Sequence, residues 1–436
     1  MLGRSLPLVS ALPFIVLLVA IALGPLVAPQ WWHFNRHKAL IAAIVSLPIV
    51  FYFGSTDLGR HLLAEKSHEY VSFIVVIGAL FMITGGIYIH GSLAGTPVAN
   101  TAALGIGAVL ANIVGTTGAS ILLIRPLLRA NKKRKRVAHI VIFFIFIVAN
   151  CGGLLTPIGD PPLLLGFLKG VPFEWTLRLW PQWLAINGLL LLLFHFWDER
   201  ALDRDEKELP GSQHAEVHEA LRVRGGVEIA VLLAVILVIV LSGSWWTGMR
   251  EIVIGALTLV AYFAGSAEHR RSNAFTFTPL VEVAVLFAAI FITMGPVLEI
   301  LNAWSQGARS VFGIPFGVRE PWHFFWASGA LSSVLDNAPT YLAFAASAAG
   351  LEHIAPHGPY IGTMALDPQA AELLTAISTG SVFMGANTYI GNAPNFLVKA
   401  IAEEHGVKMP SFLGYAAYSV GLLLPIFVLV TLLFFR

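Results

Sequence analysis

The chain has 436 residues, of which 57% are hydrophobic and only 12% charged, and its mean hydropathy is +0.77. A soluble protein of this composition would leave far too much apolar surface in water, so the sequence reads as an all-α polytopic membrane protein. The single cysteine, Cys151, excludes an intrachain disulfide framework and a cysteine-based zinc site, and a net charge of +2 selects no partner.

At about 20 apolar residues per crossing, the chain opens with a span over 8–28. That run is long enough to cross, and Pro25 and Pro29 stand where a signal peptide would carry small residues for cleavage. Spans follow at 38–54 and 70–90. The segment 96–126 is apolar with a polar cluster at its middle, Asn112 to Ser120, and reads as a re-entrant hairpin. The next span, 138–169, contains NCGGLLTPIGDPP (150–162), whose Gly pair, prolines and Asp160 break a helix at membrane depth. A span over 181–198 closes the first half.

A charged stretch, 199–225, reads as a solvated cytoplasmic linker. The second half, 226–436, repeats the plan. Spans lie at 226–243, 249–264 and 278–302, a second hairpin at 321–350 with its polar cluster Ser332 to Thr340, a second broken helix at 371–399, and a last span at 412–434. The total is ten crossings and two hairpins. Residues 385–398 match 153–166 at an offset of 232, with Gly153/Gly385, Thr156/Thr388, Ile158/Ile390, Gly159/Gly391, Pro162/Pro394 and Leu165/Leu397 identical. Five crossings per half invert the second half relative to the first, and paired interrupted segments of this kind point to the binding site of a secondary transporter.

Charge supports this topology. With the basic run Arg125 to Arg136 in the cytoplasm, alternation puts 18 of the 27 Lys and Arg on that side and both termini outside. The same run suits anionic lipid, although topology alone accounts for it. No nucleotide-binding loop, HExxH or Gly-x-Ser-x-Gly pattern occurs, so neither ATP-driven transport nor an embedded enzyme is expected. No nucleic-acid partner and no cofactor are expected either.

Asp160 and Asp336 are the first candidates for chemistry, because an intramembrane carboxylate costs about 2.5–3.5 kcal/mol to insert and marks an ion or proton path. The competing reading is that each only caps a half-helix. Around them stand neutral oxygen donors: Asn112, Thr116, Thr117, Ser120, Asn150, Thr156, Asn337, Thr340, Asn387, Thr388, Asn392 and Asn395. These side chains, with carbonyls freed by unwound backbone, suit a small cation, and helix N-termini at the same breaks suit an anion. Glu282 and His90 are lesser candidates, read as interfacial or packing groups, and Glu299, His139 and His195 fall near span ends where water is within reach.

The stretches GGLLTPIGDPPLLLGFLKGVPF (152–173), SSVLDNAPTYLAF (332–344) and GANTYIGNAPNFLVKAIAEE (385–404) resemble the ion transporter superfamily. Within it the chain is most similar to NhaD-type sodium/proton antiporters and the citrate transporters grouped with them. The resemblance implies two inverted repeats, a scaffold that often dimerises, and a moving unit of hairpins and broken helices. It also implies sodium and carboxylate sites at the tips, partly echoed here by Asn112, Thr116, Thr117, Asn387 and Thr388. Two acids at the tips would repel a tricarboxylate unless they held sodium or protons. The expectation is therefore a sodium/proton antiporter in the cytoplasmic membrane of a prokaryote, with sodium at Asp160 and Asp336 competing with the proton. The alternative is a sodium- or proton-coupled carboxylate transporter.

Overall fold

The computed structural model describes residues 2–91, 94–208, 222–242, 245, 246 and 248–436. Seven helical stretches among them are long and apolar enough to cross a membrane, and strand is confined to short segments. This is an all-α polytopic membrane protein.

The first half begins with α1 (Leu12–Val27), α2 (Asn35–Gly54) and α3 (Asp57–Gly85). Next comes α4 (Pro97–Ala130), which by length alone would be one crossing, but its backbone turns at Gly115 (φ 76°, ψ 158°). Only glycine takes that conformation without strain. Asn100 and Asn131, at the two ends, exchange side-chain hydrogen bonds of 2.9 and 2.8 Å, so α4 is a hairpin. The first broken helix runs as α5 (Ala138–Ile147), a 3-10 turn (Cys151–Leu154) and α6 (Pro161–Leu168). Apart from Ala138, every residue of the apolar α5 is buried, because this half-helix is wrapped by protein. The half ends with α7 (Trp180–Glu208).

The second half holds α8 (Gly226–Leu241), α9 (Met249–Ala264) and α10 (Thr278–Ser305). Its hairpin is α11 (Pro321–Ser332) and α12 (Asn337–Leu351), and its broken helix is α13 (Pro368–Met384), a 3-10 turn (Gly385–Asn387) and α14 (Ala393–Glu404), before α15 (Phe412–Phe434). α8 is apolar all round and splits its residues between two apolar surroundings. Val235 and Ile239 are buried while Leu233 and Leu237 are more than half exposed, as expected of a helix with protein on one side and lipid on the other. α3 packs on α2, α8, α9 and α10, and α10 in turn carries α12.

Three boundaries differ from the sequence reading. The span expected at 70–90 starts at Asp57 and ends at Gly85, and Tyr88–His90 is a strand (β1) paired antiparallel with Arg222–Arg224 (β2). The first turns of α3 look like a loop in sequence because they are charged. In the fold those charges meet partners: Lys169, the residue after α6, bonds Glu69 and lies 3.4 Å from Glu65, while Lys66 lies 3.2 Å from Glu69. Likewise the start of the 199–225 stretch is not loop but the end of α7, with Asp205 paired to Arg136. Residues 209–221 of that stretch lie outside the described residues. Finally, His139 and Glu299 are mostly buried and pair inside the protein. His139 joins Arg134 on the fully buried Asp198, and Glu299 meets His357 at 3.2 Å. His195 contacts Thr101 (3.1 Å), and Glu282 pairs with Lys38 (2.7 Å).

Candidate functional site

Both breaks are built alike. A Cβ on Gly159 would fall 2.1 Å from the carbonyl oxygen of Gly153, and one on Gly391 would fall 2.5 Å from that of Gly385. Each break is thus a pair of backbones in contact, which no other residue permits, and this is why the matched glycines sit in register. Each broken helix also receives its hairpin tip. Thr156 donates to the carbonyl of Asn112 (2.5 Å), whose side chain donates to Gly152 O and accepts from the N–H of Leu155. In the other half Thr388, the counterpart of Thr156, donates to the carbonyl of Ser333 (2.6 Å), and Asn387 donates to the Ser333 hydroxyl (2.8 Å).

Asp160 lies where the four parts meet. It precedes α6 without capping it, and it is 2% exposed. Its Oδ1 accepts from the Thr116 hydroxyl on hairpin one (2.9 Å) and from Nδ2 of Asn392 on the second broken helix (3.1 Å). Its Oδ2 accepts from Nδ2 of Asn337 on hairpin two (2.5 Å). Asn392 is the residue matching Asp160 at the 232 offset, so equivalent positions of the two halves touch. Behind them Asn150, fully buried, accepts from Asn392 and donates to Asn395. Oδ1 of Asn337 is buried with no partner.

The other candidates make no hydrogen bond to Asp160 among the described residues. Asp336 caps α12 by accepting from the N–H of Ala338 (3.1 Å), and Thr340 bonds back to the Asp336 carbonyl. Thr117, half-buried, makes no side-chain hydrogen bond among the described residues, and Ser120 is buried with its hydroxyl unpartnered. Asn112, Thr156, Asn387 and Thr388 clamp tips to breaks. Ser333 completes the second clamp and was not singled out in sequence. Its signal was its place in the tip cluster opposite Asn387 and Thr388.

A buried carboxylate ringed by donors from three other elements, with an unsatisfied amide oxygen beside it, offers several oxygens to a cation, and among the described residues no Lys or Arg is bonded to it. Hairpins, broken helices and bilayer-length helices together define a polytopic membrane protein with the architecture that secondary transporters use. A family model described as "Putative citrate transport" (CitMHS_2) matches residues 3–435, and the chain belongs to that family. No curated protein matches the sequence.

Proposed function

We propose that the protein is a secondary transporter of small carboxylates of the citrate class, coupled to a cation held at Asp160. Membership of the citrate-transport family supports the cargo. The cation rests on one observation, the Asp160 carboxylate bound by Thr116, Asn337 and Asn392 with Asn337 Oδ1 left open. A buried charge with only neutral donors is under-compensated. Sodium or a proton at the Asp160 oxygens, with Asn337 Oδ1 as a further ligand, supplies the compensation. The carboxylate cargo then meets the N-terminal ends of the hairpins' second arms, where helix dipoles favour anions. Asp336, at one of those ends, is neutralised by the same cations when the anion enters.

Exchange of sodium for protons at the same carboxylate is the second reading. It is favoured by the lack of any Lys or Arg bonded to Asp160 among the described residues. In either case the halves are inverted, the loop 131–137 faces the cytoplasm, the protein sits in the cytoplasmic membrane, and two copies pair through the scaffold helices. Proteoliposomes given labelled citrate under an inward sodium gradient, with an internal pH dye, decide the matter. Citrate uptake that needs sodium or a proton gradient is expected. Sodium-driven alkalinisation or acidification without citrate uptake would establish the antiporter instead.

A further inference from the structure

The basic loop after α4 is part of a groove. A cavity of about 1170 Å³ lies between that loop, the C-terminal part of α7, the turn after α14, and α15. Four of its cations, Lys132, Arg200, Arg204 and Lys408, come from three separate segments, are exposed, and have no carboxylate partner among the described residues. Other cations of the groove are already used: Arg134 on Asp198, and Lys135 and Arg136 on Glu208 and Asp205. The lining contains no Asp or Glu. Four exposed cations gathered in one concavity, with no carboxylate of the described residues among them, form a local positive field that favours an anion.

The remaining wall says which anion. Phe196 and Trp197 on α7 line it and are 54% and 39% exposed, and α7 lies in a stretch long and apolar enough to cross a bilayer. A small soluble anion would satisfy the cations and leave this aromatic wall in water. A phospholipid satisfies both: phosphate oxygens take the Lys and Arg side chains, and acyl chains lie along the apolar side of α7. Trp at the headgroup level is the usual arrangement at a membrane interface. We infer that this groove is a specific binding site for an anionic phospholipid. The lipid fastens hairpin one, through its basic loop, to α7 and to the turn after α14.

Trp197 provides the readout. In proteoliposomes, quenching by brominated phosphatidylglycerol is compared with quenching by brominated phosphatidylcholine, and Trp197→Phe isolates the contribution of this residue. Selectivity for phosphatidylglycerol is expected at Trp197. Since a basic side chain near a charged surface is worth about 1 kcal/mol, each of K132Q, R200Q, R204Q and K408Q lowers that selectivity by about fivefold. R200Q and K408Q stand on separate walls, so they test the site even if one of the other variants does not fold. The selectivity should survive millimolar inorganic phosphate or citrate. Equal quenching by the two lipids, or selectivity unchanged by R200Q and K408Q, would overturn the proposal. Displacement by phosphate or citrate alone would overturn it in favour of a soluble anion.

Discussion

Replacing Asp160 by Asn separates a coupling site from a structural one. Three side-chain hydrogen bonds end on this carboxylate. Bonds to a charged acceptor contribute about 1.5–3 kcal/mol each, against about 0.5–1.5 for neutral pairs, so the substitution forfeits roughly 3–4 kcal/mol of bonding. It also removes a buried, unpaired charge, which returns several kcal/mol. The new amide keeps one acceptor for Thr116 and Asn392. Asn337 has only to turn its amide over for its unpartnered Oδ1 to accept from the new NH2 group. The two contributions nearly cancel, so stability should change by less than about 2 kcal/mol, while cation-coupled citrate uptake is abolished. Thermal unfolding in detergent and uptake in proteoliposomes at matched protein amounts measure the two separately. Normal sodium- or proton-coupled uptake in Asp160→Asn would refute the assignment, whatever its stability.

Asp336→Asn should keep the cap on α12, since asparagine caps as well as aspartate, and weaken uptake without abolishing it; a loss equal to that of Asp160→Asn would place both carboxylates in one site. Gly115→Ala should destabilise the protein by about 1–3 kcal/mol, because the backbone at this turn (φ 76°, ψ 158°) is one that only glycine adopts readily, with a lower unfolding temperature as the readout. Asn392→Asp sets a second carboxylate within hydrogen-bonding distance of the first and should lower the unfolding temperature sharply, and the exchange Asp160→Asn with Asn392→Asp should recover most of it. In a Cys151→Ala background, Lys133→Cys should react with an impermeant maleimide only from the cytoplasm and His357→Cys only from outside; labelling of both from one side would end the inverted topology.

The breaks were legible in the sequence because glycine, proline and aspartate inside apolar runs have few structural meanings, and the 232 offset marked both at once. The hairpin at Gly115 was legible from the polar cluster Asn112 to Ser120 at the middle of an apolar segment. The start of α3 was not. Its acids and lysine look solvated until Lys169, about a hundred residues later, is placed beside them. Nor could sequence separate the two aspartates. Both precede a half-helix, and only the side-chain direction makes Asp336 a cap while sending the Asp160 carboxylate to Thr116, Asn337 and Asn392. Two of those partners lie 177 and 232 residues away, a distance that no local pattern spans.

The contact between Asp160 and Asn392 limits how far the two halves can be alike. They share a backbone break, yet at the point where they touch they cannot share a side chain. Two aspartates there would repel by about 4 kcal/mol at the effective dielectric of a partly hydrated site, and two asparagines would carry no charge for a cation to answer. One half must own the charge. If transport proceeds by the halves trading conformations, the trade is therefore unequal: backbone shapes interchange while the cation's anchor stays with the first broken helix throughout. Inward-open and outward-open forms of such a molecule are related in chain path by a two-fold rotation but are different molecules to the ion, so its affinity need not be the same on the two sides of the membrane.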